Sequence, residues 1–310
     1  MRQQAPRLTA DRLGAFELAL AVAGDDPAIA VATTHGRPRW ILTRRVGARG
    51  PRRALLWRPN SRTGAGVARL LEATAALGRL GEPAPGRPRP GLAAHLGRLL
   101  DVPGLRLAGV AIPPRDRRRV HASFEAGGRI VCVAKVSVGA AHAAKERTVL
   151  DLLAASRDVH LFTPTPITLT SWNELTVLVL EPFHAHGLAR RRFGAHEVAA
   201  LGRIAELAPA LAAVTGTCDG LVPVHGDFVA ANSGRTAAGY TVWDWETTRL
   251  GGPLDDFFHW HVQALTPRSR NGIEELVDLA RAPRGPLEEL RLRLGLGRGE
   301  CAHGLAQLGV

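Results

Sequence analysis

The sequence has 310 residues, 45% of them hydrophobic and 22% charged, with a formal net charge of +12. That length leaves room for two core-bearing units, and the composition excludes a disordered or low-complexity chain. The positive excess sits wholly in residues 1–181, where no basic stretch is interleaved with stacking aromatics, and no run approaches the ~18 apolar residues of a membrane span, so neither a nucleic-acid nor a membrane partner is expected. All basic residues except Lys135 and Lys145 are arginine, which the codon bias of a GC-rich genome explains. Cys132, Cys218 and Cys301 are odd in number and scattered, without the spacing of a disulfide framework or a zinc site. The amino-terminal stretch has a short apolar run, but Asp11 and Glu17 spoil a signal or transit peptide, so a soluble, cytoplasmic protein is expected.

In chain order, residues 11–23 read as a helix, with Thr9 or Asp11 as N-cap. Short strands follow at 28–34, 39–45 and 53–59, a helix at 64–81 and a Pro/Gly-rich linker at 81–91. This first third, residues 1–104, is an accessory α/β segment that carries no recognisable chemistry. From 105 the pattern turns to strands, at 105–112, 118–126 and 127–139, the last strongly β-branched. A helix at 140–156 and a buried strand at 175–183 come next. Residues 194–214 then place Val198, Leu201, Ala205, Ala208 and Leu211 on one helical face. A β-rich unit, 105–182, thus precedes an α-rich one, 183–310, with "EPF" joining them.

Chemistry concentrates in a few places. Alternation along 130–138 puts Val131, Val133, Lys135 and Ser137 on one face, and a lysine in such a run either faces solvent or needs a carboxylate; Glu146 follows on the next helix. The stretch "VPVHGDFVAANSG" ends an apolar run in His225, Asp227 and Asn232, the H-x-D-x-x-x-x-N spacing of the catalytic loop of kinases. There the aspartate faces the acceptor hydroxyl and the asparagine turns to Mg²⁺, a hard cation that takes only one or two oxygen ligands from protein beside phosphate oxygens. A second oxygen ligand is offered by Asp244 at the end of the strand "YTVWDWET", between Trp243 and Trp245. "LGGPLDDFFHW" then adds a Gly-Pro turn and a paired acid.

In this order, a lysine in a strand, a glutamate on the next helix, HGD-x-x-x-x-N, WDWE and GGPLDDF, the chain resembles the aminoglycoside phosphotransferase and choline kinase group, small-molecule relatives of the protein kinases, over roughly residues 105–260. The resemblance implies an α+β, protein-kinase-like two-lobed fold: a nucleotide-binding lobe of antiparallel sheet and helix at 105–182, and a mainly helical lobe with catalytic loop and acceptor site at 183–310. It makes Asp227 the catalytic base and Asn232 and Asp244 the Mg²⁺ ligands. Lys135 then holds the α- and β-phosphates of ATP or GTP, oriented by Glu146. Glu181 lies in the adenine-binding hinge, which acts through its backbone, and His225 and Asp256 support the loop.

One part departs from the pattern. Between the first two strands stands "AIPPRDRRR" instead of a glycine-rich loop, so backbone amides cannot approach phosphates as glycines allow; Arg115 or Arg117 is left as a side-chain substitute, or as part of a solvated charge run. Two other readings stay open. One is a metal hydrolase using His225, Asp227, His259 and His261, although a helix over "DDFFHWHVQAL" turns the last two histidines apart. The other is a catalytically weak or inactive nucleotide-binding scaffold whose first hundred residues bind a partner. On the resemblance, the expected acceptor is a hydroxyl of a sugar, amino alcohol or aminoglycoside-like small molecule. Glu274, Glu275, Asp278, Glu288 and Glu289 suit a cationic acceptor, and Arg190, Arg191 and Arg192 an anionic one. The short stretch after Asp256 leaves little room for the helical subdomain that shapes the acceptor site of aminoglycoside enzymes.

Overall fold

The computed structural model describes residues 14–23, 29–34, 37–43, 91–113, 118–156, 161–182, 193–235, 239–264 and 270–307. The expected strand at 53–59, the helix at 64–81, Arg115, Arg117 and Arg190–Arg192 lie outside them. The architecture is α+β, and the chain divides into two compact units, Met1–Ala144 with Pro166–Pro182, and Lys145–Thr165 with Phe183–Val310.

The first unit is built on one antiparallel sheet in the order β1-β2-β3-β4-β5-β8-β7. Its strands are β1 (Ile29–Thr34), β2 (Arg37–Thr43), β3 (Arg106–Ala111), β4 (Arg119–Ala126), β5 (Arg129–Ser137), β7 (Pro166–Trp172) and β8 (Leu175–Leu180). The β-branched run expected at 127–139 is β5, at the heart of the sheet. Strict alternation sends Val120, Ala122 and Phe124 of β4, Cys132, Ala134 and Val136 of β5, and Val177 and Val179 of β8 into one core. Two helices cover that face, α1 (Ala15–Ala23) through Leu18 and Val22, and α2 (Leu92–Leu99) through Leu92 and Leu96, all buried. On the opposite face His121, Lys135 and Leu178 sit side by side across β4, β5 and β8. Burial also pushes the Cys132 thiol up to about 12, so it stays protonated as a core side chain.

The division differs from the one expected at residue 104. β2 pairs with β3 (Trp40↔Ala111, Ile41↔Val110, Leu42↔Gly109), and α1 and α2 share the core with β4 and β5. The physical reason is the edge: without β2, β3 would present a row of unpaired amides and carbonyls. The described residues before 105, in α1, β1, β2 and α2, are therefore part of this sheet unit.

The second unit takes most of α3 (Ala141–Ala155), then β6 (Leu161–Phe162) and everything after residue 182. Its helices are α4 (Ala195–Glu206), α5 (Ala208–Thr215), α6 (Asp255–Ala264), α7 (Arg270–Arg281), α8 (Pro286–Arg293) and α9 (Arg298–Gln307). The single helix expected at 194–214 is broken at Leu207 with a 64° bend, because Pro209 in the first turn of α5 has no N–H to continue the ladder. Among the described residues no single helix is long and apolar enough to cross a membrane. Two small sheets complete the unit. β10 (Ser233–Arg235) pairs antiparallel with β11 (Tyr240–Val242), which pairs parallel with β6; β9 (Val222–Val224) pairs antiparallel with β12 (Arg249–Gly251).

Buried Glu197 on α4 ties these elements together. It receives the Arg235 guanidinium on both oxygens at 2.9 and 3.0 Å, the Tyr240 hydroxyl at 3.1 Å and the Gly194 amide at 2.9 Å. Such a carboxylate is tolerated because every partner is in place.

Leu96→Ala tests whether the early segment belongs to the core. It should lower unfolding free energy by ~2–5 kcal/mol, the range for a buried leucine, read as a lower urea midpoint at unchanged slope.

Candidate active site

β9 delivers the chain to His225-Gly226-Asp227, and a buried carboxylate on α6 receives it. Asp256 accepts the His225 amide on Oδ2 at 2.7 Å and the Gly226 amide on Oδ1 at 2.9 Å. Burial raises the Asp256 pKa, while the two amide bonds pull it back. Gly226 is at φ +84°, and a Cβ there would collide with the carbonyl of Thr247, so only glycine suits both the conformation and the space. Thr247 holds the other side of the strand end, its Oγ1 donating to the His225 carbonyl at 3.0 Å.

The His225 ring is fully buried and used at both nitrogens. Nε2–H donates to the Trp243 carbonyl at 3.0 Å, and Nδ1 accepts the Asp227 amide at 3.2 Å. A donor on one side and an acceptor on the other define the neutral Nε2–H tautomer. The ring meets Trp245 edge-on at 4.6 Å between centroids.

Asp227 itself is open, its side chain 40% exposed, yet both carboxylate oxygens are held. Oδ2 accepts Nδ2–H of Asn232 at 2.8 Å, and Oδ1 lies 2.9 Å from Nε2 of His259 on α6. Asn232 ends a 3-10 turn, Ala230–Asn232, and its Nδ2 also donates to the Asp227 carbonyl at 3.1 Å. With the nitrogen turned to Asp227, no donor among the described residues reaches Oδ1 of Asn232, the atom suited to a hard cation.

A third piece follows β11. The Trp243 peptide is held at both ends: its N–H donates to the Asn232 carbonyl at 3.0 Å, and its carbonyl receives His225. The next residue, Asp244, is left-handed at φ 72°, ψ 48°, a conformation aspartate adopts more readily than most residues. One carboxylate oxygen each of Asp244, Glu246 and Glu146 lie within 4.8 Å of one another, and buried Glu146 also accepts the Trp245 amide at 3.2 Å. Carboxylates this close repel one another, and a divalent cation relieves that repulsion.

The structure therefore brings His225, Asp227, Asn232 and Asp256 to one loop, and Glu146 to Asp244. Lys135 and Glu181 belong to the sheet unit: Lys135 is 7% exposed near the end of β5, and Glu181 follows β8 and is exposed. The sequence reading did not assign Glu246 to this group, and it placed His259 with Asp227 only as fellow metal ligands, whereas here the two meet directly. The available signal for His259 was its place three residues after Asp256 on a helix, hence on the same face. The histidine it was weighed with, His261, turns away: its Nδ1–H donates to the Phe257 carbonyl at 2.8 Å, and burial lowers its pKa.

No family model and no curated protein matches the sequence. Among solved structures the chain is similar to a macrolide 2′-phosphotransferase from Brachybacterium faecium, at 15% identity and TM-score 0.45, over 70% of this chain and 88% of that one. It is similar to a putative aminoglycoside phosphotransferase from Ralstonia eutropha at 17% identity and TM-score 0.42, over 68% of this chain and 83% of that one. An aminoglycoside phosphotransferase from Streptomyces rimosus is similar at 13% identity and TM-score 0.41, over 70% of this chain and 98% of that one. These are distant likenesses in fold.

Gly226→Ala should destabilise the loop by ~1–3 kcal/mol, the usual cost of a strained backbone position. The lower thermal midpoint should come with faster proteolysis near residue 226.

Proposed function

We propose that this chain is a phosphotransferase that moves the γ-phosphate of ATP or GTP to a hydroxyl of a small molecule, using Mg²⁺. The observation that carries the reading is Asp227: a solvent-accessible carboxylate with both oxygens fixed by N–H donors, on a loop whose amides are gripped by buried Asp256. Each of its oxygens keeps a lone pair for an incoming O–H. The acceptor hydroxyl donates to Asp227; as its oxygen bonds to the γ-phosphorus and the β–γ bridging bond breaks, the proton passes to the carboxylate and the nucleoside diphosphate leaves. Such transfers proceed through loose transition states, so positioning and charge neutralisation are most of what a protein supplies.

The donor set suits the metal. Oδ1 of Asn232 and the carboxylate of Asp244, with Glu146 and Glu246 close to Asp244, are hard oxygen ligands. Mg²⁺ held there supplies positive charge to the phosphate oxygens. In the sheet unit, Lys135 takes the α- and β-phosphates, and the backbone near Glu181 takes the base. The acceptor class is a sugar, amino alcohol or aminoglycoside-like hydroxyl compound.

Asp227→Ala should slow turnover by ~10²–10⁴-fold, the range for a general base, while leaving nucleotide affinity nearly unchanged. Calorimetry of ATP and GTP with and without Mg²⁺ tests the metal site: binding should require Mg²⁺ and should fail in Asp244→Ala. Binding of neither nucleotide to the wild type would sink the reading.

A further inference from the structure

Helix α6 contributes two side chains to the loop, one turn apart. Asp256 holds the amides of residues 225 and 226, and His259 meets the carboxylate of the next residue, Asp227, at 2.9 Å. Three residues along a helix is about 4.5 Å of axial rise on the same face, so the two contacts follow consecutive residues of the loop from one rigid element.

Asp227 needs this second contact. An aspartate carboxylate rotates broadly about its last torsion, and Asn232 alone fixes only Oδ2. A donor on Oδ1 sets the carboxylate plane, and with it the direction of the lone pairs left for an acceptor. A carboxylate oxygen only accepts, so His259 must carry its proton on Nε2. The His259 side chain is 25% exposed, so it sits at the open side of the site and not in the core.

We propose that His259 is a positioning residue for Asp227: its Nε2–H fixes the carboxylate plane in which the acceptor proton is received. The proposal rests on the phosphotransfer reading above. It specifies one atom, which allows a discriminating test. Glutamine carries its amide nitrogen three bonds from Cβ, where Nε2 of histidine stands; asparagine carries its amide nitrogen nearer, in the place of Nδ1.

The experiment uses the full chain with Mg-ATP and Mg-GTP, water as acceptor, and phosphate release as readout, for the wild type, Asp227→Ala and His259→Ala, Gln and Asn, each checked for an unchanged thermal midpoint. His259→Ala should lower kcat by ~10–100-fold, the scale of a small misplacement of a reacting group, with KM for nucleotide unchanged. His259→Gln should restore most of the rate and His259→Asn should not. A pair held by charge alone would be restored by neither. Asp227→Ala turning over at the wild-type rate would overturn the phosphotransfer reading and this proposal with it. A slow Asp227→Ala beside a fast His259→Ala, or equal rates for the Gln and Asn variants, would overturn the positioning role alone. Independently of turnover, a nitrogen-15 spectrum should place the His259 proton on Nε2; a proton on Nδ1 alone would overturn the proposal.

Discussion

The loop at the centre of the second unit depends on one buried carboxylate meeting two adjacent amides. A hydrogen bond to a charged group contributes about 1.5–3 kcal/mol, and a buried amide left without a partner costs a comparable amount. Asp256 therefore does more than hold a turn: it fixes the direction in which β9 ends, and so where the next residue presents its side chain. Gly226 allows the close approach on the Thr247 side, and the His225 ring carries the constraint on to the Trp243 peptide. That peptide also bonds back to Asn232, so the two acid-bearing segments are referenced to each other through backbone groups, which cannot swing as side chains do.

Much of this was legible in the sequence, for identifiable reasons. The spacing of His225, Asp227 and Asn232 is local, and local spacing survives folding almost unaltered; Asp256 was marked by its paired acid after a Gly-Pro turn. The strands β3, β4, β5 and β8 were visible because β-branched runs with turn residues between them leave few other conformations. What was not legible is non-local. Nothing near Glu146 announces that it accepts an amide from Trp245. The pairing of β2 with β3 joins segments separated by a long stretch, and sequence pattern carries no register across such a gap. His259 was misread differently: its neighbour His261 suggested a pair of metal ligands with Asp227, whereas His259 alone meets Asp227, from the helix face that also carries Asp256.

The break of α4 from α5 has a similar lesson. Apolar periodicity continues through residues 194–214, but Pro209 lacks the amide that periodicity assumes, and the backbone rule overrides the side-chain pattern. Glu197, on the unbroken part, keeps its contacts with Arg235 and Tyr240.

The parallel pairing of β6 with β11 bears on how the chain assembles. Leu161 pairs with Tyr240, so the β6–β11 pairing must wait until the ribosome has passed residue 240, and the bond from the Trp245 amide to Glu146 waits longer still. The sheet unit, by contrast, is complete once Pro182 has emerged. Contacts between distant positions close slowly. During synthesis the sheet can therefore settle before β11 and Trp245 have emerged to meet β6 and Glu146.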